Sequence, residues 1–352
     1  MRLKFQGDGL LEKLGVLLGM APRPMYDGYA SLLMARALMA AASIGLFKAL
    51  AEHPRTAPEL ASHLGIERTG ADLLLSALES LGYVRFRHGR YRLTRDAKRF
   101  LAPESETSVH PWIGVFNYDL WDHLGNFEAV LRGTVPAGAH TPPASDPYWD
   151  RYMEAMHSLA RLTAPVLARS IAVNGSPRRA LDLAGGHGRF SVELCRRYPD
   201  LRATIVDLEG AAVRGERFIE AAGMLGRIEY RHGDVFEADL GEGYDLALAN
   251  NVIHMLSPER SAELLRRART ALRPGGTISV LEVERPPAGR PDNQFGALLG
   301  LVFYSLDRTP TYTASELSNL LEDAGFSDVR VKRPPKLGGN MLVTGVANGA
   351  AP

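Results

Sequence analysis

Ala180-Leu181-Asp182-Leu183-Ala184-Gly185-Gly186-His187-Gly188 is the stretch that decides the fold. A short apolar run of β character ends in an acid and a glycine-rich turn. A helical pattern then opens at once, with Phe190, Val192, Leu194 and Cys195 on its apolar side. A second strand, Ala203-Thr204-Ile205-Val206, ends in Asp207. Glycines let backbone N–H groups approach a ligand closely, and an acid at the end of the second strand suits a ribose diol. The spacing departs from the Gly-x-Gly-x-x-Gly of dinucleotide folds, so NAD is not the expected ligand.

Working outward, strands alternate with helical patterns from Arg179 onward, which predicts a doubly wound parallel sheet. Strands are expected near 180–184, 203–207, 228–232, 244–250, 277–283, 327–332 and 341–347. Upstream, residues 1–25 read as a short amphipathic start ending in Ala21-Pro22-Arg23-Pro24. From Tyr26 to about Leu101 the order is helix, helix, helix, hairpin. Thr56-Ala57-Pro58-Glu59 carries a capping box with proline in the first turn. Val84 to Arg87 and Arg90 to Leu93 alternate strictly around His88-Gly89, a hairpin signal. These elements spell an all-α winged helix-turn-helix domain whose wing is the hairpin. Residues 105–178 form a connector. It is rich in aromatics (Trp112, Phe116, Tyr118, Trp121, Phe127), passes through the loop Pro136 to Pro147, and ends in a helix from Asp150 to Ile171. The expected division is therefore 1–104, 105–178 and 179–352.

Composition sets the class. Hydrophobic residues are 45% and charged residues 23% of 352, as in a soluble globular enzyme. Lys plus Arg number 41 against 40 acids, so no global field favours nucleic acid or anionic lipid. The single cysteine, Cys195, precludes an internal disulfide framework and fits a reducing, cytoplasmic compartment. No signal peptide is evident after Met1-Arg2-Leu3-Lys4. Tyr29 to Leu50 is apolar but carries Arg36 and Lys48, which predicts a buried helix rather than a membrane span. Basic residues cluster on the wing (Arg85, Arg87, Arg90, Arg92), yet the helix Gly70 to Ser76 offers acid and leucine where a groove reader needs Arg, Lys, Asn or Gln. Pairing with a second subunit is the better expectation than DNA binding.

The Asp-x-Gly-x-Gly-x-Gly form, with Ala184 at the first glycine, resembles the opening of class I S-adenosylmethionine (SAM) methyltransferases. With Asp207 and the winged helix, the chain resembles the caffeate/hydroxyindole type of SAM-dependent O-methyltransferase from about Tyr26 to Gly345. Further motifs carry the resemblance: Gly233-Asp234-Val235-Phe236, Ala249 to His254, Ala271-Leu272-Arg273-Pro274-Gly275-Gly276 and Asp323-Ala324-Gly325-Phe326. It implies that SAM is the cofactor, S-adenosylhomocysteine the product, and that no metal is needed. Ala184, Gly185, Gly186 and Gly188 would face the methionyl part, and Asp182 and Asn250 would also belong to the cofactor site. Asp207 would take the ribose hydroxyls, with Leu208, Asp234 and Val235 about the adenine. His254 would be the general base and Glu282 would hold its other ring nitrogen. The winged domain would be a homodimerisation domain, and the connector aromatics suggest that the partner also contributes to each substrate pocket.

The chain departs from the family at four places. His-Asp-Trp is His254-Met255-Leu256, a basic residue on the fourth strand is Asn250, the first glycine is Ala184, and the second glutamate that brackets the histidine is Thr311, with Asp307 a nearby candidate substitute. Trp121, Met153, Met156, His157, Phe303, Tyr304 and Asp307 are expected to line a pocket for a small aromatic or polyketide-like molecule. Methylation of a hydroxyl is the leading expectation. A C- or N-methyltransferase, or a SAM-using hydroxylase or decarboxylase, is the alternative, and a SAM-responsive DNA-binding regulator is a remote one.

Overall fold

The computed structural model describes residues 9–20, 22–134, 142–173, 175–290 and 292–348. Part of the amphipathic start and part of the 136–147 loop fall outside these. The chain divides into two compact units, Leu3–Leu120 and Trp121–Pro352. The connector expected over 105–178 is thus shared between them.

In the first unit, α1 (Leu10–Leu17), α2 (Ser31–Ser43), α3 (Leu46–Glu52), α4 (Ala57–Leu64) and α5 (Arg68–Ser80) lead to a hairpin of β1 (Val84–Arg87) and β2 (Arg90–Leu93). Two further helices, α6 (Arg95–Phe100) and α7 (His110–Val115), follow. The Thr56 capping box is formed, with Thr56 N–H donating to Glu59 at 2.8 Å and Glu59 N–H to Thr56 Oγ1 at 3.3 Å. The hairpin turn places both His88 and Gly89 at positive φ, 51° and 75°, as a tight two-residue turn requires. Phe47, Leu60, Leu75 and Leu78 fill the core.

The apolar run from Tyr29 to Leu50 is not one buried helix. Gly45, at φ 79°, ends α2 in the left-handed conformation, and the two halves are bent by 60°. The second half is buried, but Leu32, Leu33 and Met34 on the first are 49%, 51% and 44% exposed. Among the described residues no single helix is long and apolar enough to cross a membrane. On the wing, Arg90 is held by Glu59 through two contacts of 2.7 and 3.1 Å. Phe116 packs edge-on against Trp112, and Tyr118 bonds Ser43 at 2.8 Å, all within this unit.

The second unit opens with α8 (Trp121–Gly125), α9 (Phe127–Leu131) and the long α10 (Tyr148–Ser170). A seven-stranded sheet follows, of β3 (Arg179–Leu183), β4 (Arg202–Asp207), β5 (Ile228–His232), β6 (Tyr244–Leu248), β7 (Leu272–Val283), β8 (Phe326–Lys332) and β9 (Asn340–Ala347), in spatial order β5-β4-β3-β6-β7-β9-β8. Helices α11 (Arg189–Arg197), α12 (Glu209–Ala221), α13 (Pro258–Ala271), α14 (Gln294–Asp307) and α15 (Ala314–Asp323) connect the strands. The first five strands are parallel, while β9 runs antiparallel to both β7 and β8. The sheet is therefore mixed rather than parallel throughout. Only residues 333–339 join β8 to β9, too few for the crossover a parallel pair needs.

Two apolar layers cover the sheet. Ala160, Ala164 and Leu167 of α10 pack with Leu248 and Leu281 on one face, and Leu264, Leu265 and Leu317 with Ile278 and Val280 on the other. The strand order reverses at β3, which has β4 on one side and β6 on the other. Connections leave in opposite directions there, and a crevice opens beyond the carboxyl ends of the strands.

Candidate active site

The glycine turn after β3 owes its form to three different demands. Ala184, Gly186 and Gly188 lie at φ 53°, 50° and 65°, the left-handed region in which only glycine is unstrained. Ala184 therefore carries a conformation the family assigns to glycine. A Cβ on Gly185 would stand 2.5 Å from the Asp182 carboxyl carbon, and one on Gly188 would stand 2.6 Å from Ile219 and 2.9 Å from Ile205. At Gly186 the nearest atom would be Met153 Cε, 3.8 Å away, so this part of the turn is open.

Two buried acids flank the turn. Asp182, 1% exposed, accepts from Ser191 Oγ at 2.6 Å, and its Oδ1 is buried without a partner. Burial pushes its carboxyl up to about 7, and neighbouring Asp207 adds to the rise. Asp207 accepts from Gly186 N–H and from Leu208 N–H, each at 2.7 Å. Burial raises it to about 6 against the pull of those two donors. The acid of the second strand thus anchors the glycine turn of the first, a link not foreseen in the sequence. Tyr230, on β5, completes the anchor by donating to the Gly186 carbonyl at 2.7 Å.

The next motif lies alongside. Gly233 N–H donates to the Asp207 carbonyl at 2.9 Å, and Asp234 turns its carboxylate onto Phe236 N–H, also at 2.9 Å. Val235 is buried, and Arg267 of α13 holds its carbonyl at 2.9 Å. Asn250, just past β6, accepts from Leu281 N–H at 3.0 Å, which leaves its buried Nδ2 without a partner.

Helix α10 covers this edge. Trp149, Met153, Leu208, Ala211 and Phe218 form one apolar cluster, and Gly210 has no side chain because Trp149 fills that space. His157, one turn beyond Met153, stacks on Phe218 at 4.1 Å, with His187 of the glycine turn 6.0 Å away. Burial, with Arg161 and Arg189 nearby, lowers His157 to about 4. Burial, then His157 and Arg189, lowers His187 to about 3. His187 Nδ1 accepts from Arg189 N–H at 3.0 Å. Met153 and His157 therefore stand by the glycine turn and α12.

His254 sits in a one-turn helix (Ile253–Met255) beyond β6, and Glu282 at the carboxyl end of β7. Nδ1 of His254 is 2.7 Å from Glu282 Oε2, while Glu282 Oε1 accepts from Ile253 N–H at 2.8 Å. Both side chains are buried, with exposures of 7% and 2%. The phenyl ring of Phe303 stacks on the imidazole at 3.8 Å and 23°. Thr309 donates its hydroxyl to the His254 carbonyl. Thr311 is buried, its Oγ1 without a partner and backed by Gly300.

The remaining expected residues lie on α8, α10 and α14. Helix α14, which carries Phe303, Tyr304 and Asp307, packs on the turn holding His254 and on α8, where Trp121 begins. Arg308 covers the Tyr304 ring at 5.4 Å. Tyr152 of α10 is kept well above its ordinary value by burial, with the charges of Asp307 and Asp207 adding. Met156 is half-buried. Trp149, Tyr152, His187, Tyr230 and Thr309 were not foreseen. Of these only His187, inside the glycine motif, had a sequence signal. Among the described residues, no three or more His, Cys, Asp or Glu are grouped to hold a metal ion.

An acid-anchored glycine turn and a histidine–glutamate pair thus share one edge of the sheet. Residues 134–327 match the O-methyltransferase domain model and 28–103 the O-methyltransferase dimerisation domain model. The chain belongs to the O-methyltransferase family. This methyltransferase is 34% identical over 350 residues to the 3-hydroxy-5-methyl-1-naphthoate 3-O-methyltransferase of Streptomyces sahachiroi, covering 92% of this chain and 95% of that one. It is 30% identical to the acetylserotonin O-methyltransferase of Bos taurus, over 86% and 91% of the two chains. The fold matches human N-acetylserotonin methyltransferase solved with SAM, with a TM-score of 0.81, 22% identity, and 93% and 97% coverage. The family is SAM-dependent, and the enzyme is a methyltransferase.

Proposed function

We propose that this methyltransferase moves a methyl group from SAM to a hydroxyl of a small aromatic or polyketide-like molecule, with His254 as general base. One observation carries the reading: the 2.7 Å contact between His254 Nδ1 and Glu282 at the carboxyl edge of the sheet. A carboxylate only accepts, so Nδ1 carries the ring proton and Nε2 keeps its lone pair for the incoming hydroxyl. SAM supplies a methyl on a sulfonium, so the chain need only align the oxygen and take its proton.

The residues present fit that cofactor. Two buried polar atoms, Asp182 Oδ1 and Asn250 Nδ2, are unpartnered acceptor and donor near an open glycine turn, as an amino-acid head group would use. Asp207 spends one lone pair of each oxygen on backbone and keeps the others for a diol. Asp234 and Val235 would flank the adenine, with Leu208 beside it. Gly186 leaves room for the methionyl chain, Ala184, Gly185 and Gly188 give the turn its shape, and Met153 and His157 close that side from α10. Trp121, Met156, Phe303, Tyr304 and Asp307 would bound the substrate. The naphthoate substrate named for the 34% identical relative supports an aromatic acceptor here.

The same proposal includes a cytoplasmic homodimer, paired through residues 1–104, with 105–178 contributing to the substrate pocket and 179–352 holding SAM. The dimerisation model match and the exposed Leu32, Leu33 and Met34 support the pairing. The test is product mass after incubation with SAM and hydroxynaphthoates, catechols and anthraquinones. A gain of one methyl on oxygen is expected. Methylation on carbon or nitrogen, or turnover without methyl gain, would replace this reading.

A further inference from the structure

We infer that the face of His254 is held by Phe303 and its backbone by Thr309, so that a stacked ring and a hydroxyl do the positioning that a second carboxylate would otherwise do. This rests on His254 being the base. Thr311, at the position of that second acid, cannot contribute: its hydroxyl is buried without a partner and lies against Gly300, where an added Cβ would come within 2.8 Å. What does touch His254 is different in kind. Phe303 lies 3.8 Å from the imidazole centroid and within 23° of parallel, and Thr309 Oγ1 donates to the His254 carbonyl.

The geometry explains why such a substitution works. The bond from Nδ1 to Glu282 fixes one edge of the imidazole but leaves the ring free to swing about the Nδ1–Oε2 line. A second carboxylate would stop that swing by holding another edge. A ring stacked on the face stops it directly, because rotation would drive the imidazole edge into the phenyl plane. Glu282 also fixes the backbone before His254 through Ile253 N–H, and Thr309 fixes it after. The imidazole is thus defined in edge, plane and backbone, and its Nε2 edge is what remains for the substrate. Phe303 is then a positioning residue in addition to any contact it makes with substrate. Thr309 is a positioning residue as well.

Two measurements on the full-length enzyme test this. The first is proton NMR of protein labelled in histidine, with His254 assigned by its absence in His254→Gln. A stacked phenyl shifts the carbon-bound imidazole protons upfield. That shift should be present in the parent and in Phe303→Tyr, which keeps a ring, and lost in Phe303→Leu. The second is steady-state turnover with a hydroxynaphthoate probe. Phe303→Leu should lower kcat roughly tenfold to a hundredfold, the cost of misaligning a catalytic group by about an ångström, while SAM affinity by calorimetry stays unchanged. Phe303→Tyr should restore most of it, and Thr309→Val should lose more than Thr309→Ser. A parent spectrum without the upfield shift overturns the inference, whether or not the probe is turned over. So does a Phe303→Leu enzyme with raised KM and kcat within about threefold of the parent, which would make Phe303 a substrate wall only. If His254→Gln itself retains turnover, the general-base reading falls instead.

Discussion

Glu282 divides its carboxylate between Nδ1 of His254, at 2.7 Å, and the backbone N–H of Ile253, at 2.8 Å. One residue therefore holds both the imidazole and the backbone that carries it. His254→Gln should bind SAM and fold but lose about 10²–10⁴-fold in kcat, since an amide cannot take the proton. Glu282→Gln should cost less, because it touches no substrate. It still costs, because an amide can accept from only one of the two N–H donors and must turn its own NH₂ toward the other. Turnover, KM and SAM affinity of the two variants check this.

Asp207 should matter to SAM in two ways at once. It is the proposed ribose acceptor and also pins Gly186 N–H at 2.7 Å, so truncation would loosen the turn as well as remove that acceptor. Asp207→Ala should lose at least about tenfold in SAM affinity by calorimetry, given roughly 1.5–3 kcal/mol for a hydrogen bond to a charged group. Unchanged affinity would remove Asp207 from the cofactor site.

What was legible in the sequence was periodic or local. The strands, the capping box at Thr56, the hairpin at His88-Gly89 and the position of the His254–Glu282 pair all follow from patterns within a few residues, or from the family's motif order. What was missed depends on contacts across the chain. Asp207 with Gly186, Tyr230 with Gly186, Trp149 over Gly210 and Phe303 on His254 join residues 21 to 61 positions apart. The antiparallel β9 was missed because strand patterns carry no direction. The helix break at Gly45 was missed because the apolar composition continues across it.

Pairing through the first unit should depend on the exposed face of α2. Leu33 is 51% exposed and Leu32 49%, beside Met34. Uncovering such a stripe in a lone chain is unfavourable, and a second copy would bury it. Light scattering should give a dimer for the parent and a monomer for Leu32→Asp/Leu33→Asp. A parent that is monomeric at micromolar concentration with full activity would refute the pairing.

Asp182 should tie stability to pH in the protein without SAM. Its folded carboxyl is raised to about 7, with burial the main cause, from an ordinary value near 4. A raised value means the folded state holds a proton that the unfolded chain has lost. This contribution is intact below about pH 4 and disappears as pH climbs through about 7. Asp182→Asn removes the titration and keeps an oxygen for Ser191. It should melt higher than the parent above neutrality, with the gain shrinking toward pH 4, and it should bind SAM more weakly. A melting difference that does not vary with pH would show that Asp182 is not the group responsible.

The His157–His187 pair should act on the opposite side. Both imidazoles are lowered in the fold, to about 4 and about 3, mainly by burial, with Arg161 and Arg189 adding at His157 and His157 and Arg189 adding at His187. The unfolded chain takes up protons near the ordinary histidine value of about 6.5, whereas the folded one refuses them until much lower pH. Stability should therefore fall as pH drops below about 6.5 and keep falling toward about 3 to 4. Asp182 and Asp207 push the other way over part of that window, so the parent's slope is a difference, and single variants are needed to read it. His157→Phe keeps a ring to stack on Phe218, where His157 lies 4.1 Å away, and has no proton to bind. It should flatten the acid limb of the melting curve while changing stability little at pH 8. Asp182→Asn should steepen the same limb by removing the opposing term. If His157→Phe leaves the acid limb unchanged, the imidazole is accessible to protons in the fold. Burial by α10 and Phe218 would then not be what lowers it.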